Sequence, residues 1–234
     1  MKRFLAPTRL LRLLLALGPM ALLLAASPAL AQPAYRLVVR YAEAPPTGVQ
    51  RLAKTLQTYA AETRKDEPWT RVEVLSELGR PNRMVVIERW ENMDGAQEAR
   101  LNARVDGLVA GQTVAPVDHR RTDALTLPIF ERPPASAFHV VMHLDVVPAG
   151  SATAARALSE QRAAVLAAPG AISFEASTQS NRPNHFAVYE VWRSRAAYEA
   201  YIATAPAQDL RKQLTPIKGA PFDDRFYTAA ATLK

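Results

Sequence analysis

The chain has 234 residues, 49% of them apolar, and its 29 lysines and arginines against 22 aspartates and glutamates give a formal charge of +7. Four of the basic residues, Lys2, Arg3, Arg9 and Arg12, fall within positions 1–31, where no acidic residue occurs, so the remainder carries only +3. With no cysteine and no basic cluster interleaved with aromatics, the composition excludes a disulfide framework, thiolate chemistry and a nucleic-acid surface.

Residues 1–31 read as an export leader. The basic residues precede an apolar run from Leu13 to Ala26, and Ala29-Leu30-Ala31 before Gln32 has the small side chains of a cleavage site. Arg12 and Pro19 interrupt the apolar stretch, which falls short of the ~20 residues of a membrane span. The expectation is a signal peptide removed near Gln32. The product would be periplasmic or secreted, without membrane attachment.

After the leader, residues 35–41 are rich in β-formers, and Val49, Leu52, Ala53, Leu56 and Ala60 make an apolar stripe at helical spacing. Residues 70–78 and 84–90 predict two strands, with a hairpin turn over Gly79-Arg80-Pro81-Asn82. A weaker helical region follows from Asp94, then a closing strand over 121–127. Pro128, Pro133 and Pro134 mark a linker over 128–137, since proline restricts the backbone and is excluded from a central strand.

The second half repeats the first at an offset of 102. Arg80-Pro81-Asn82 recurs as Arg182-Pro183-Asn184, and the same step links Pro46 to Pro148, Glu73 to Glu175, Glu88 to Glu190 and Trp90 to Trp192. The predicted elements recur as strands over 138–147, 172–178, 185–192 and 225–231 and a helix over 153–167 stopped by Pro169-Gly170. A helical face is marked by Ala197, Tyr198, Tyr201 and Ile202. Domain boundaries are therefore expected at 32–127 and 138–234. A four-stranded sheet with helices on one face leaves the other face needing cover, and two such sheets in one chain can cover each other.

The duplicated Glu-x-Trp is the feature that could carry chemistry. Glu190 and Trp192 share one strand face, roughly 6.5–7 Å apart, with Val188 and Phe186 beside them. A desolvated carboxylate there would gain the pKa of a general base. The competing reading is structural: Glu88 and Glu190 paired with an arginine or backbone amides while the tryptophans fill the core. His139 and His143 also share a strand face but lie roughly 13 Å apart, too far to chelate one metal. His143 could serve as a base or be structural. The paired Arg80 and Arg182 could lie at the surface or hold an anionic ligand.

The run Phe186-Ala187-Val188-Tyr189-Glu190-Val191-Trp192, followed by Ala197-Tyr198-Glu199-Ala200-Tyr201, resembles the antibiotic biosynthesis monooxygenase family, and Met84 to Trp90 is a looser copy. The resemblance implies an α+β fold: two tandem ferredoxin-like domains forming within one chain the pseudo-dimeric α+β barrel that family members build as homodimers. It also implies cofactor-independent oxygenation of a small aromatic, quinol-like substrate, or a non-catalytic small-molecule or haem-binding protein on the same fold. On this reading Glu190, Tyr201 and His143 are the candidate catalytic residues. Trp192, Phe186, Tyr198, Trp90 and Glu88 are candidates for binding substrate, with no cofactor and no metal. Family members commonly carry a histidine nine or ten residues after the tryptophan. Here Tyr201 and, in copy one, Ala99 or Arg100 stand instead.

Overall fold

The computed structural model describes residues 35–68 and 70–230; the predicted leader lies outside the described residues. Copy one contributes strands β1 (Tyr35–Glu43), β2 (Arg71–Glu77), β3 (Arg80–Glu91) and β4 (Asp118–Ala124), with helices α1 (Val49–Asp66) and α2 (Gly95–Val109). Copy two contributes β5 (Phe138–Asp145), β6 (Ala171–Gln179), β7 (Arg182–Trp192) and β8 (Asp223–Ala229), with α3 (Ser151–Leu166), α4 (Arg195–Ile202) and α5 (Ala205–Leu214). Each copy forms an antiparallel four-stranded sheet. The edge strands then pair across copies, β2 with β8 and β4 with β6, closing one barrel in the order β1-β3-β2-β8-β5-β7-β6-β4. Closure removes the exposed edges that two separate sheets would leave.

Strand alternation sends two sets of side chains in opposite directions. On the outer face, Ala42, Val72, Met84 and Val86 pack under Leu52, Leu56 and Ala60 of α1. Phe138, Val140, Val188 and Trp192 pack under the copy-two helices. Each such valine, leucine, methionine or phenylalanine side chain stabilises the fold by ~1.5–3 kcal/mol on burial. The inner face closes on Val39, Val85, Ile87, Val141 and Val191, together with a buried charged cluster. Arg89 donates Nε to both carboxylate oxygens of Glu175 (2.9 and 2.7 Å) and Nη1 to Glu73 (2.8 Å). Arg71 pairs with Glu73 at 2.9 Å. Burial alone would push Glu73 up, but Arg89 and Arg71 prevail and hold it at about 2. Segment 125–137 is tied to this barrel end, because Ile129 O accepts from Arg71.

Three local features differ from the sequence expectation. The first hairpin turns at Leu78-Gly79, with Gly79 at φ +82°, where glycine lacks the Cβ penalty. Arg80-Pro81-Asn82 therefore belongs to β3. Its asparagine clasps the end of β1, with Ala44 N donating to Asn82 O (2.8 Å) and Asn82 Nδ2 donating to Glu43 (3.0 Å). Asn184 does the same for Val146 N and O, each at 2.9 Å. The closing strand of copy one starts at Asp118 rather than 121. Copy two holds a helix unread in the sequence, α5, opened by Pro206 in its first turn. Among the described residues no helix is long and apolar enough to cross a membrane.

Candidate functional site

Glu190 leaves β7 on the outer face, into a cavity of about 30 Å³ between the copy-two sheet and its helices. The sheet supplies Val140, Met142, Phe174 and Asp224; α3 supplies Gln161, α4 Tyr198 and Tyr201, and α5 Leu210 and Arg211. The position of α4 follows from local sequence. Ser194 caps it by accepting from Ala197 N at 3.2 Å. Gly170, at φ +87°, lets the turn before β6 pass beneath it, where any Cβ would stand 2.7 Å from that of Ala197. Trp192 packs behind this lining, its ring centroid 5.1 Å from that of Tyr201 and 6.0 Å from that of Tyr198.

The Glu190 carboxylate has one hydrogen-bond donor among the described residues, Trp192 Nε1 at 2.8 Å to Oε2. Burial pushes its pKa up to about 7; the Trp192 hydrogen bond and Arg211 oppose the rise, and the Asp224 charge adds to it. Asp224 binds Arg211 through Oδ2 at 2.6 Å, while its Oδ1 is buried without a partner. Burial also pushes the Tyr201 phenol up to about 12, and its hydroxyl accepts from Gln161. The site thus holds a carboxylate that exchanges its proton near neutral pH, beside two protonated phenols and an indole.

The same position in copy one is filled. Glu88 is 0% exposed. It accepts from Tyr59 Oη at 2.7 Å and Trp90 Nε1 at 2.8 Å, and pairs with Arg40 at 3.3 Å. Arg40 is itself held by Asn102 at 3.0 Å. Glu88 and Trp90 are therefore not brought to the copy-two cavity; they belong to the buried core of the other copy.

The remaining candidates separate by strand face. Glu190, Tyr201 and Tyr198 line the cavity, with Trp192 behind. Phe186 packs in the same outer core toward the other end of β7. His143 points the opposite way, into the barrel, because it lies one residue out of phase with Val140 and Met142. There its Nε2 is 2.7 Å from Tyr41 Oη, so it does not share a site with Glu190. Asp224, Gln161 and Arg211 escaped the sequence reading; only the helical spacing of Leu210 and Leu214 hinted at the wall that brings Arg211 in.

The profile of the family described as antibiotic biosynthesis monooxygenase matches the chain twice, over residues 35–104 and 137–213. Among solved structures, a candidate monooxygenase from Fusobacterium nucleatum superposes with TM-score 0.73 at 12% identity, covering 86% of this chain and 94% of that one. A candidate monooxygenase from Lactobacillus acidophilus gives 0.70 at 11% identity, covering 85% and 95%. An anthrone oxidase-like protein gives 0.63 at 15% identity, covering 86% and 95%. At such identities the likeness is one of fold. The search of curated proteins returned no match.

Proposed function

The chain belongs to the antibiotic biosynthesis monooxygenase family, and on that premise we propose that copy two is a cofactor-independent monooxygenase site for a small quinol-like aromatic, acting in the periplasm or outside the cell. The observation that carries this reading is Glu190: a carboxylate with its pKa raised to about 7, held by one indole donor and facing an aromatic cavity. Its Oε1 takes the phenolic proton. The phenolate is then electron-rich enough to reduce dioxygen, which adds at a ring carbon. The resulting peroxide anion takes the proton back from Glu190 to become a hydroperoxide; loss of the proton from that ring carbon then breaks the O–O bond and expels the distal oxygen as water, so one oxygen atom ends in a hydroxyquinone and the other in water.

At about 30 Å³ the cavity holds one or two waters, so a quinol needs the α4–α5 wall to move outward. The Arg211–Asp224 pair joining α5 to β8 is the contact such a motion breaks. The absence of the family's helix histidine, with Tyr201 in its place, favours the second reading, a small-molecule binding protein without turnover. Haem fits poorly, because Tyr201 is engaged by Gln161 and kept protonated, whereas iron ligation needs a tyrosinate.

The test is oxygen consumption by the metal-free protein with a panel of hydroquinones. Glu190→Gln is expected to slow turnover by ~10²- to 10⁴-fold, and the wild-type rate should rise with pH through about 7 as Glu190 ionises. Equal rates for wild type and Glu190→Gln would remove the base assignment. No consumption above background, with hydroquinones still quenching tryptophan fluorescence, would favour the binding protein.

A further inference from the structure

The barrel end opposite segment 125–137 opens into a cleft of about 430 Å³, within the range of small-molecule sites. It is built on the axis that relates the two copies. Tyr41 and His143 are equivalent at the offset of 102, and they meet each other there, Oη to Nε2 at 2.7 Å. On either side stands the same Asp-x-Arg pattern. Asp118 pairs with Tyr41 and Arg120 with Val39 across β1–β4; Asp223 pairs with His143 and Arg225 with Val141 across β5–β8. Two Asp-x-Arg strands thus present two arginines to one point, and both guanidinium groups lie over the Tyr41 ring, at 4.9 and 5.4 Å.

The formal charges of the cleft balance, since Arg120, Arg182 and Arg225 face Asp118, Asp145 and Asp223. Their depths do not balance. The aspartates flanking the axis are 51% and 47% exposed, against 33% and 27% for Arg120 and Arg225. Water therefore screens the negative groups more than the positive ones. Each of these arginines engages its aspartate through Nε and Nη2, which leaves Nη1 of each guanidinium outside the ion pair. Arg182, on the rim, has no acidic partner among them. His185 is satisfied by Asp145 at 2.7 Å.

His143 completes the floor. Burial, reinforced by Arg120 and Arg225 against Asp223 and Asp118, holds its pKa down at about 4, so the ring is neutral. Burial also keeps the Tyr41 phenol protonated. If its hydroxyl proton goes to Nε2, the imidazole proton must sit on Nδ1 as a donor. An adjoining recess of about 190 Å³ is lined by Tyr41, Arg225 and Tyr227, whose hydroxyl stands beside the Arg225 guanidinium.

We propose that this cleft is a ligand site, separate from the Glu190 cavity, which binds the oxyanion of a small organic acid or phosphate ester between Arg120 and Arg225, with Nδ1–H of His143 as a third donor. The two arginines chelate the oxyanion from opposite sides of the axis, and Arg182 screens it from the rim. The site uses both copies, so neither copy alone provides it.

The test uses the whole protein with two probes, inorganic phosphate and benzoate, followed by calorimetry and by the imidazole ¹⁵N signals of His143. Either probe should bind and move the His143 Nδ1 resonance. A response to benzoate alone assigns a carboxylate, to phosphate alone a phosphate ester, and to both the shared oxyanion chemistry. Losing one charge-assisted donor pair is worth ~1.5–3 kcal/mol, so Arg120→Gln and Arg225→Gln should each weaken binding at least tenfold. Arg104→Gln, whose guanidinium is paired with Glu62 on the copy-one helices, should leave it unchanged. If neither probe at 10 mM shifts the His143 signals of the unmodified protein, or if both arginine variants bind as wild type does, the proposal fails.

Discussion

Two glutamates at one position of a repeat have come to opposite states. Glu88 and Glu190 sit on equivalent strands, opposite Val38 and Val140, and each accepts from the indole two residues on. The difference lies in what reaches them from neighbouring elements. Copy one supplies Arg40 and the Tyr59 hydroxyl; copy two has Met142 and Gln161 at those places. An arginine compensates the buried charge, and a methionine does not. Copy one therefore holds a fixed ion pair in a solid core, and copy two holds a carboxylate with raised pKa beside a cavity. One pairing separates the two copies.

The largest effect should come from breaking the copy-one pair. Arg40→Met gives Glu88 the neighbour that Glu190 has, without a cavity beside it, and is expected to cost ~3–5 kcal/mol, read as a lower urea midpoint with unchanged slope. Glu88→Gln strands Arg40, which is 1% exposed, and should cost a similar amount. The double variant Arg40→Met/Glu88→Gln should recover most of the loss. A single-variant cost below ~1 kcal/mol would mean that charge compensation is not what separates the copies.

The same substitution in copy two should act with the opposite sign. Glu190 is pushed by burial to about 7 from an ordinary 4.5, so between those values the folded state keeps a proton that the unfolded state has lost. Stability then falls as pH rises through this window and is fully present only below it. By pH 8 the deficit is ~2–3 kcal/mol, the lower figure allowing for the solvent that the side chain still meets. Glu190→Gln should remove it, leaving the variant more stable than wild type at pH 8 and equal to it at pH 4. Denaturation midpoints at the two pH values check this. A variant destabilised at pH 8 would place Glu190 in the same class as Glu88.

Most of the barrel was legible in the sequence because most of the identities at offset 102 fall on its strands, and because α1 carries a clear apolar stripe. The asymmetry was not legible from those identities, since it resides in residues that differ at the same step: Arg40 against Met142, Tyr59 against Gln161. The barrel-end cluster was hidden for another reason. Copy one crosses from β3 to β4 through one helix, and copy two crosses from β7 to β8 through α4 and α5. The offset therefore grows to 105 at the last strands, and Asp118-x-Arg120 against Asp223-x-Arg225 falls out of the register in which the repeat was found. The inner network of Arg71, Glu73, Arg89 and Glu175 announced itself only as the repeated Glu73 and Glu175. A pattern on one strand does not reveal that a single arginine serves both copies.

The smallest expected effect sharpens the comparison most, because it asks what sets the Glu190 pKa besides burial. Asp224 stands on β8, two strand spacings from Glu190, roughly 10 Å across the sheet, with both side chains lining one cavity. Its charge raises Glu190, and Arg211, bound to it, lowers Glu190. Asp224→Asn removes the first influence and frees the second, so both changes favour the ionised carboxylate. Through a partly screened medium the shift should be about half a unit to one unit downward, measured by ¹³C titration of the Glu190 carboxyl. The pH at which oxygen consumption reaches half its plateau should move down with it. A downward shift in the titration without one in the rate would show that turnover depends on the Arg211–Asp224 contact rather than on the base. An unchanged titration would leave desolvation by Phe174, Tyr198, Tyr201 and Trp192 as the whole cause, and the missing arginine as the complete difference between the copies.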